Sequence, residues 1–350
     1  MDDTTETQKP TSNRIKRLHL LGIVLTIFGI ALFAYFIYSI GFREIWDGIK
    51  RFGFDGFAVI VVLFFVRLLT RAYAWTLTVH PPYTLTLKDT VPAMMIGEAM
   101  SSTIPLGFFA SGTAKAVAVR NRLPLVAGLS SVATENLFYS LTTGLFLIGG
   151  AAVLLRGFAV DENVALTLNA VIITLAALIV LGVTMVIREW HIASGICNWV
   201  YKRGILHDLL GKWRFDVRRF EDLIYGFYRH FPRRFVPICL LQMTYHLLGI
   251  VEVGFILYRL TGVTPTLMTA FLLESISRFI TVIFKLIPFT IGVDEAGAQF
   301  IGETVALAAG VGVTLAIIRR GRIFFWTAMG MIMIIKRGLS LSEITKTIRP

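Results

Sequence analysis

Apolar residues along the chain fall into runs separated by short polar or basic stretches. Leu20 to Ile40, 56–79, 124–155, 164–187 and 235–260 are apolar over lengths that predict membrane-spanning helices. About 20 residues of helix cross about 30 Å of hydrocarbon. A last apolar stretch covers 298–335, of which 311–335 makes one span. Between the first two runs, Phe42, Ile45, Trp46, Ile49 and Phe52 share one helical face, which predicts a short interfacial helix over 41–55 on the outer side.

Two segments are apolar but interrupted. Residues 89–110 contain Pro92, Gly97, Glu98, Ser101, Ser102, Pro105 and Gly107, and Gly112 follows. Residues 268–296 contain Glu274, Arg278, Lys285, Pro288, Gly292, Asp294 and Glu295, and Gly297 follows. This pattern predicts re-entrant, broken helices whose freed backbone groups are covered by protein or water. Pro105 and Pro288 would break the helices. Gly107, Gly112, Gly292 and Gly297 would let the backbone bend and approach a ligand.

The halves resemble each other. Ile104-Pro105-Leu106 matches Ile287-Pro288-Phe289, and Asn136–Gly144 sets against Arg322–Gly330, at offsets of 183 and 186 residues. Residues 188–234 hold ten Lys or Arg against five Asp or Glu, which predicts a cytoplasmic linker. Within it Trp213, Val217, Phe220, Ile224, Phe227 and Phe231 recur at helical spacing. They form an amphipathic face for the inner leaflet or for the rest of the protein. With a cytoplasmic N-terminus, the first broken segment dips in from the cytoplasm and the second from outside. The expected fold is therefore an all-α polytopic membrane protein of about six full spans plus two re-entrant segments, arranged as an inverted repeat. Residues 1–18 form a polar cytoplasmic N-terminus and 19–340 a single transmembrane domain. Its repeat units are about 56–155 and 235–336, and 341–350 are a short tail. Inverted repeats with paired broken helices characterise alternating-access carriers.

Composition agrees. The 350 residues are 55% hydrophobic and 16% charged, against about 25% charged in soluble domains. Mean hydropathy is +0.72. The net charge of +12 is accounted for by cytoplasmic loops and anionic headgroups, so nucleic acid is not an expected partner. The basic Arg14, Lys16 and Arg17 before the first apolar run resemble a signal peptide in order only. The run is too long and lacks a small-residue cleavage site, so it reads as an uncleaved span. Cys197 and Cys239 have no metal-type spacing, and no HExxH, GxSxG or Walker pattern occurs. The expectation is a protein without cofactor, metal or enzymatic activity of its own.

Cations sit inside apolar stretches: Arg67, Arg71, Arg278, Lys285, Arg319, Arg320 and Arg322. An arginine at mid-bilayer costs about 2.5–3.5 kcal/mol even on the lenient insertion scale. Partners on offer are Glu98, Glu135, Glu252 and Glu274, joined by Asp294 and Glu295 if these lie deep. Arg67, Arg71 and Trp75 share a face, as do Glu274 and Arg278, and Gln242 and His246. His246 reads as a structural hydrogen-bonding residue rather than a proton relay. Surplus guanidinium groups suit an anion, because arginine binds phosphate bidentately and keeps its charge. Arg319, Arg320 and Arg322 fit two arrangements: the middle of a buried helix, or a short cytoplasmic loop that makes 298–318 the span.

At these residues the chain resembles a known family. The stretches SGTAKAVAVRNRLP (111–124) and KLIPFTIGVDEAGAQFIGE (285–303) are similar to the lysylphosphatidylglycerol synthase transmembrane-region family, also called flippase-like membrane proteins. The resemblance covers roughly 15–340. Multiple peptide resistance factors of bacteria join this membrane region to a soluble domain. That domain transfers an amino acid from aminoacyl-tRNA to phosphatidylglycerol, and the membrane region is implied to move the product between leaflets. Here the chain stops about 15 residues after its last span, so the transfer activity is not expected. The family's first motif is a proline, a Gly-Gly pair and an arginine. This chain departs from it, with Gly107, Gly112 and Lys115 in its place, and matches the second motif by Pro288, Gly292 and Glu295. A hopanoid-associated branch of the family fits equally.

The resemblance implies a lipid translocase of the cell's inner (plasma) membrane that handles an anionic or aminoacylated phospholipid. Arg67, Arg71, Lys115, Arg278, Arg319, Arg320 and Arg322 would bind the lipid phosphate. Glu98, Glu135, Glu274 and Glu295 would hold the arginines or meet a cationic headgroup. Two rivals are a membrane scaffold that presents lipid to a separately encoded lipid-modifying enzyme, and a membrane-embedded enzyme using Glu98, Asp294 or Glu295 as acid or base.

Overall fold

A computed structural model describes residues 42–336 apart from 104–106, 204–206 and 285–287, together with Tyr35 and Tyr38. The expected first span otherwise lies outside the described residues, as do Pro105, Lys285 and the tail. The described chain is helical and contains no strand: α1 (Phe42–Leu77), α2 (Leu87–Thr103), α3 (Gly107–Ala118), α4 (Leu125–Gly157), α5 (Glu162–Ile187), α6 (Ile192–Lys202), α7 (His207–His230), α8 (Phe235–Thr261), α9 (Leu267–Ile283), α10 (Val293–Thr304) and α11 (Val311–Lys336). Four stretches are long and apolar enough to cross a membrane: Ile45–Leu77, Leu125–Gly157, Glu162–Ile187 and Pro232–Thr261. The 26 residues of α11 reach about 39 Å at 1.5 Å per residue, a sufficient length, but carry buried arginines.

Each interrupted segment folds as two short helices, of 17 and 12 residues in both cases. At about 25 and 18 Å, neither member crosses a bilayer alone. The α2–α3 pair is a tight hairpin, fastened at its mouth by Arg122 Nε donating to Asp89 at 3.2 Å. In the α9–α10 pair the break is a 3-10 turn, Pro288–Thr290. Phe289, Thr290 and Gly292 there adopt φ of 56°, 49° and 82°. Glycine takes this region freely, whereas the other two residues are strained and depend on surrounding contacts. The Gly292 amide donates to Glu295 Oε2 at 2.9 Å, which closes the cap of α10.

Several expectations are corrected. The short helix expected over 41–55 is set off from the second span by non-helical backbone at Gly53, within α1, but it packs on the protein and buries Ile45 and Phe52 instead of lying free at the interface. Pro92 does not break α2, since it removes one hydrogen bond near the helix start and the helix continues. Gly112 and Gly297 lie inside α3 and α10, not at breaks. A Cβ on Gly297 would strike Ile280 of α9, so that glycine serves helix packing. Arg319, Arg320 and Arg322 are buried inside α11, which excludes the cytoplasmic-loop arrangement.

Two apolar clusters fill the interior. One joins α1, α4, α8, α9, α10 and α11 through residues such as Ile60, Phe146, Val253, Leu273, Ile301 and Leu315. The other joins α1, α2 and α11 through Phe64, Trp75, Met94, Met95 and Trp326. α5 buries none of its residues and is peripheral. The amphipathic α7 packs on the protein at its C-terminal half, where Ile224 and Phe227 are buried and Phe227 meets Phe138 of α4. Arg234 donates to the carbonyls of Leu77 and Val79 at 3.0 and 3.1 Å and finishes α1. His80, in the loop after α1, sits edge-on between Phe227 and Phe231.

Two predictions follow from this packing. A Cβ on Gly330 of α11 would collide with the Met95 carbonyl of α2, which has no freedom to move away. Overpacking costs about 1–3 kcal/mol, so Gly330→Ala lowers the thermal unfolding midpoint in detergent. An unchanged midpoint contradicts the close α2–α11 contact. Burial, and then Arg234 and His230, hold the His80 imidazole below its ordinary value. The unfolded chain then binds a proton that the folded one resists, so stability falls as pH drops below about 6.5. His80→Phe keeps the aromatic packing and removes this share of the fall. The check is the difference between midpoints at pH 7.5 and 5.5, which is smaller in the variant.

Candidate functional site

Between the two apolar clusters lies a network of ion pairs. Arg67 of α1 donates from Nη1 to Glu252 of α8 at 2.8 Å and from Nη2 to Glu274 of α9 at 3.0 Å. Arg278, one turn beyond Glu274, donates to the same carboxylate at 2.9 Å. Arg319 of α11 reaches Glu274 at 2.6 Å and lies 3.7 Å from Glu252. Arg322, three residues on, pairs with both oxygens of Glu252. Four guanidinium groups thus share two carboxylates, all but fully buried. The register follows from helical spacing: Arg319 and Arg322 share a face of α11, and Glu274 and Arg278 a face of α9. Gly249 of α8 makes room, since a Cβ there would strike Glu274 and crowd Arg67.

A second network lies one turn away on α1. Arg71 embraces Glu135 of α4 at 2.9–3.1 Å, and Gln242 of α8 donates to the same carboxylate at 2.8 Å. Lys115 of α3 is buried against Gly97 and lies near enough to act electrostatically on Glu135. Tyr245 joins the networks: the guanidinium carbons of Arg67, Arg278 and Arg71 lie 4.4, 5.3 and 5.7 Å from its ring centre. Such contacts are worth about 2 kcal/mol when desolvated. His246 fills the structural role expected of it, bonding Thr143 at 3.2 Å and stacking on Phe146. In the second broken pair, Arg320 clasps Glu295 and reaches the Thr290 carbonyl at 3.3 Å, bracing the strained turn.

The first network opens onto a cavity of about 110 Å³. Its charged lining is Arg278, Arg319, Arg322, Glu98 and Asp294. Ser101, Ser102, Ser277, Thr281, Thr290 and Tyr245 add hydroxyls, and Phe64, Phe289 and Ile323 add apolar surface. Ser101 and Ser102 end α2, and Phe289 and Thr290 form the second break, so both broken segments terminate here. The space admits a polar headgroup fragment and not a whole lipid. Of the expected lipid-binding residues, Arg278, Arg319, Arg322 and Glu98 line this space. Arg67, Arg71, Lys115, Glu135, Glu274, Glu295 and Arg320 stand behind it or apart from it. Asp294 lies on the wall and accepts from Ser277 at 2.9 Å. Tyr245 was not anticipated. Its spacing of one turn to Gly249 and two turns to Glu252 on α8 was the available signal.

The model of the family described as Lysylphosphatidylglycerol synthase TM region matches residues 20–330. The chain belongs to that family. No curated protein and no solved structure matches it. The region shared with the family contains both broken segments, both ion-pair networks and the cavity. This is a membrane protein of a family named for lipid synthesis, and its most charged interior lies where its broken helices end.

Removing one partner of a buried ion pair costs about 3–5 kcal/mol, because the other charge is stranded. Glu274 holds three arginines. Glu274→Gln is therefore expected to lower the unfolding midpoint and the yield of monodisperse protein far more than Glu303→Gln, whose side chain is exposed and, among the described residues, bonds only Gln299. Equal behaviour of the two variants contradicts the network.

Proposed function

We propose that this protein moves a phospholipid headgroup across the membrane through the cavity between its two broken helical pairs. The observation that carries the reading is that cavity. The buried Arg319 and Arg322, the part-buried Arg278 and two acids line it, and the end of α2 and the second break border it. Arginine recognises phosphate bidentately, and a phosphate entering this space exchanges water for a fixed set of donors. The substrate is an anionic or aminoacylated phospholipid. The protein moves the lipid without altering it, as a passive or ion-coupled carrier, since the sequence carries no nucleotide-binding motif.

In this reading about 56–155 (the span of α1 through α4) and 235–336 (α8 through α11) are inverted copies whose broken pairs enter from opposite faces, α2–α3 from the cytoplasm and α9–α10 from outside. The matching lengths of their short helices support it. The protein resides in the cell's inner (plasma) membrane. Its N-terminus and the basic stretch containing α6 and α7 face the cytoplasm, in keeping with the excess of Lys and Arg there. Acyl chains remain in the bilayer while the headgroup passes the arginines.

Reconstitution in vesicles with fluorescent anionic, aminoacylated and net-neutral lipids tests the proposal. Exchange between leaflets is expected to exceed that of protein-free vesicles. Arg278→Gln and Arg319→Gln each reduce it about tenfold or more, since a hydrogen bond to a charged group is worth about 1.5–3 kcal/mol. Arg259→Gln, which removes a pair with exposed Asp55, leaves it unchanged. No acceleration for any lipid refutes transport.

A further inference from the structure

The charges around the cavity define its ligand more narrowly than the presence of arginine does. Arg67, Arg278, Arg319 and Arg322 share only Glu252 and Glu274, which leaves two positive charges over. Arg319 Nη1 and Arg322 Nε are buried and have no hydrogen-bond partner among the described residues, although both side chains line the cavity. Buried donors left in this state cost about 1–3 kcal/mol each, more for charged groups. They point to an acceptor that enters the cavity. The other two charges on the wall are acidic. Glu98, near the end of α2, makes no side-chain hydrogen bond or ion pair among the described residues. Asp294, 8% exposed at the start of α10, has only the Ser277 hydroxyl. Glu98 and Asp294 together cancel the surplus of the arginine cluster. Among the described residues the set as a whole is neutral, and on the cavity wall its cations stand on α9 and α11 and its acids on α2 and α10.

A neutral site with separated charges gains nothing from a ligand's net charge and gains from a ligand with the complementary pair. We propose that the cavity selects a lipid whose headgroup carries one phosphodiester and one primary ammonium and has no net charge. The phosphate accepts from Arg319 and Arg322, and the ammonium donates to Glu98 and Asp294. This rests on the translocase reading and replaces the anionic headgroup considered there with a zwitterionic one. An anionic headgroup, such as phosphatidylglycerol, satisfies the arginines and leaves two carboxylates facing apolar or hydroxyl groups. A headgroup with two ammonium groups, such as the lysyl ester in the family's name, brings a cation in excess of the balance. A quaternary ammonium supplies charge without N–H donors. Ser101, Ser102 and Thr281 add acceptors suited to the third N–H of a primary ammonium.

Binding to the purified full chain in detergent, measured by native mass spectrometry, separates these cases. The probes are phosphatidylethanolamine, phosphatidylglycerol, phosphatidylcholine and lysylphosphatidylglycerol with identical chains. Phosphatidylethanolamine is expected to bind about tenfold more tightly than each of the other three, the value of one charged hydrogen bond. Glu98→Gln, nearly isosteric and at a side chain without a pair among the described residues, is expected to abolish this preference by weakening phosphatidylethanolamine binding and not phosphatidylglycerol binding. Asp294→Asn should do the same in part. Arg319→Gln weakens all four lipids. Equal binding of phosphatidylglycerol and phosphatidylethanolamine, or a preference that survives both acid substitutions, overturns the proposal while leaving lipid transport intact. Soluble glycerophosphoethanolamine binding as tightly as the lipid would overturn the assignment to a lipid. Lipid binding that Arg278→Gln and Arg319→Gln leave untouched removes the site of the translocase reading itself.

Discussion

Four guanidinium groups and two carboxylates meet where α1, α8, α9 and α11 come together, and the surrounding structure is arranged to make this possible. Each arginine alone is costly in hydrocarbon, and each carboxylate alone equally so. Collected, they pull four helices into one register, because Arg67 bonds α8 and α9 at once and Arg319 and Arg322 divide α11 between the same two acids. The tolerance is small. Gly249 has no side chain because Glu274 occupies the space, and the Tyr245 ring faces the guanidinium groups of Arg67 and Arg278. The apolar clusters on either side exclude water and strengthen each of these bonds.

Fixing the charges in this way frees the broken segments from having to hold them. Among the described residues, the end of α2 and the second break lie against the network and add hydroxyls and acids to it. The second break is strained at Phe289 and Thr290 and is braced from α11 by Arg320 through Glu295. Neighbouring arginines on one helix thus have different work. Arg319 and Arg322 face the cavity, while Arg320, on another face, secures the turn that borders it.

Much of this was legible in the sequence wherever the deciding force is local. Length and hydropathy marked α4, α5 and α8, and proline and glycine in apolar runs marked both interrupted segments. The spacing of Glu274 and Arg278 foretold their pair. Local pattern failed where a distant partner decides. Arg319, Arg320 and Arg322 read equally as a loop until Glu252, Glu274 and Glu295 are placed beside them, 25 to 70 residues away in sequence. Pro92 looked like a break because proline removes a hydrogen bond, yet packing of α2 against α3 and α11 carries the helix through it. Arg67 looked like a ligand contact because its charge needed an anion, and two acids from later helices supply that anion without leaving it on the cavity wall.

The same long separations bear on how the chain is made. Arg67 lies 185 residues before Glu252 and 207 before Glu274. At about 5–20 residues per second, α1 is synthesised roughly 10–40 s before its counter-charges exist. Arg71 waits for a shorter time, since Glu135 follows after 64 residues. During that interval α1 has two uncompensated cations in a segment otherwise suited to lipid. It must be sheltered by the insertion machinery or by water until α4 and then α8 arrive. The last helix meets the opposite situation. α11 brings three arginines at once into a bundle in which every acid they bond is already present. Early synthesis is thus the vulnerable stage, and the final helix closes an assembly whose carboxylates are waiting for it.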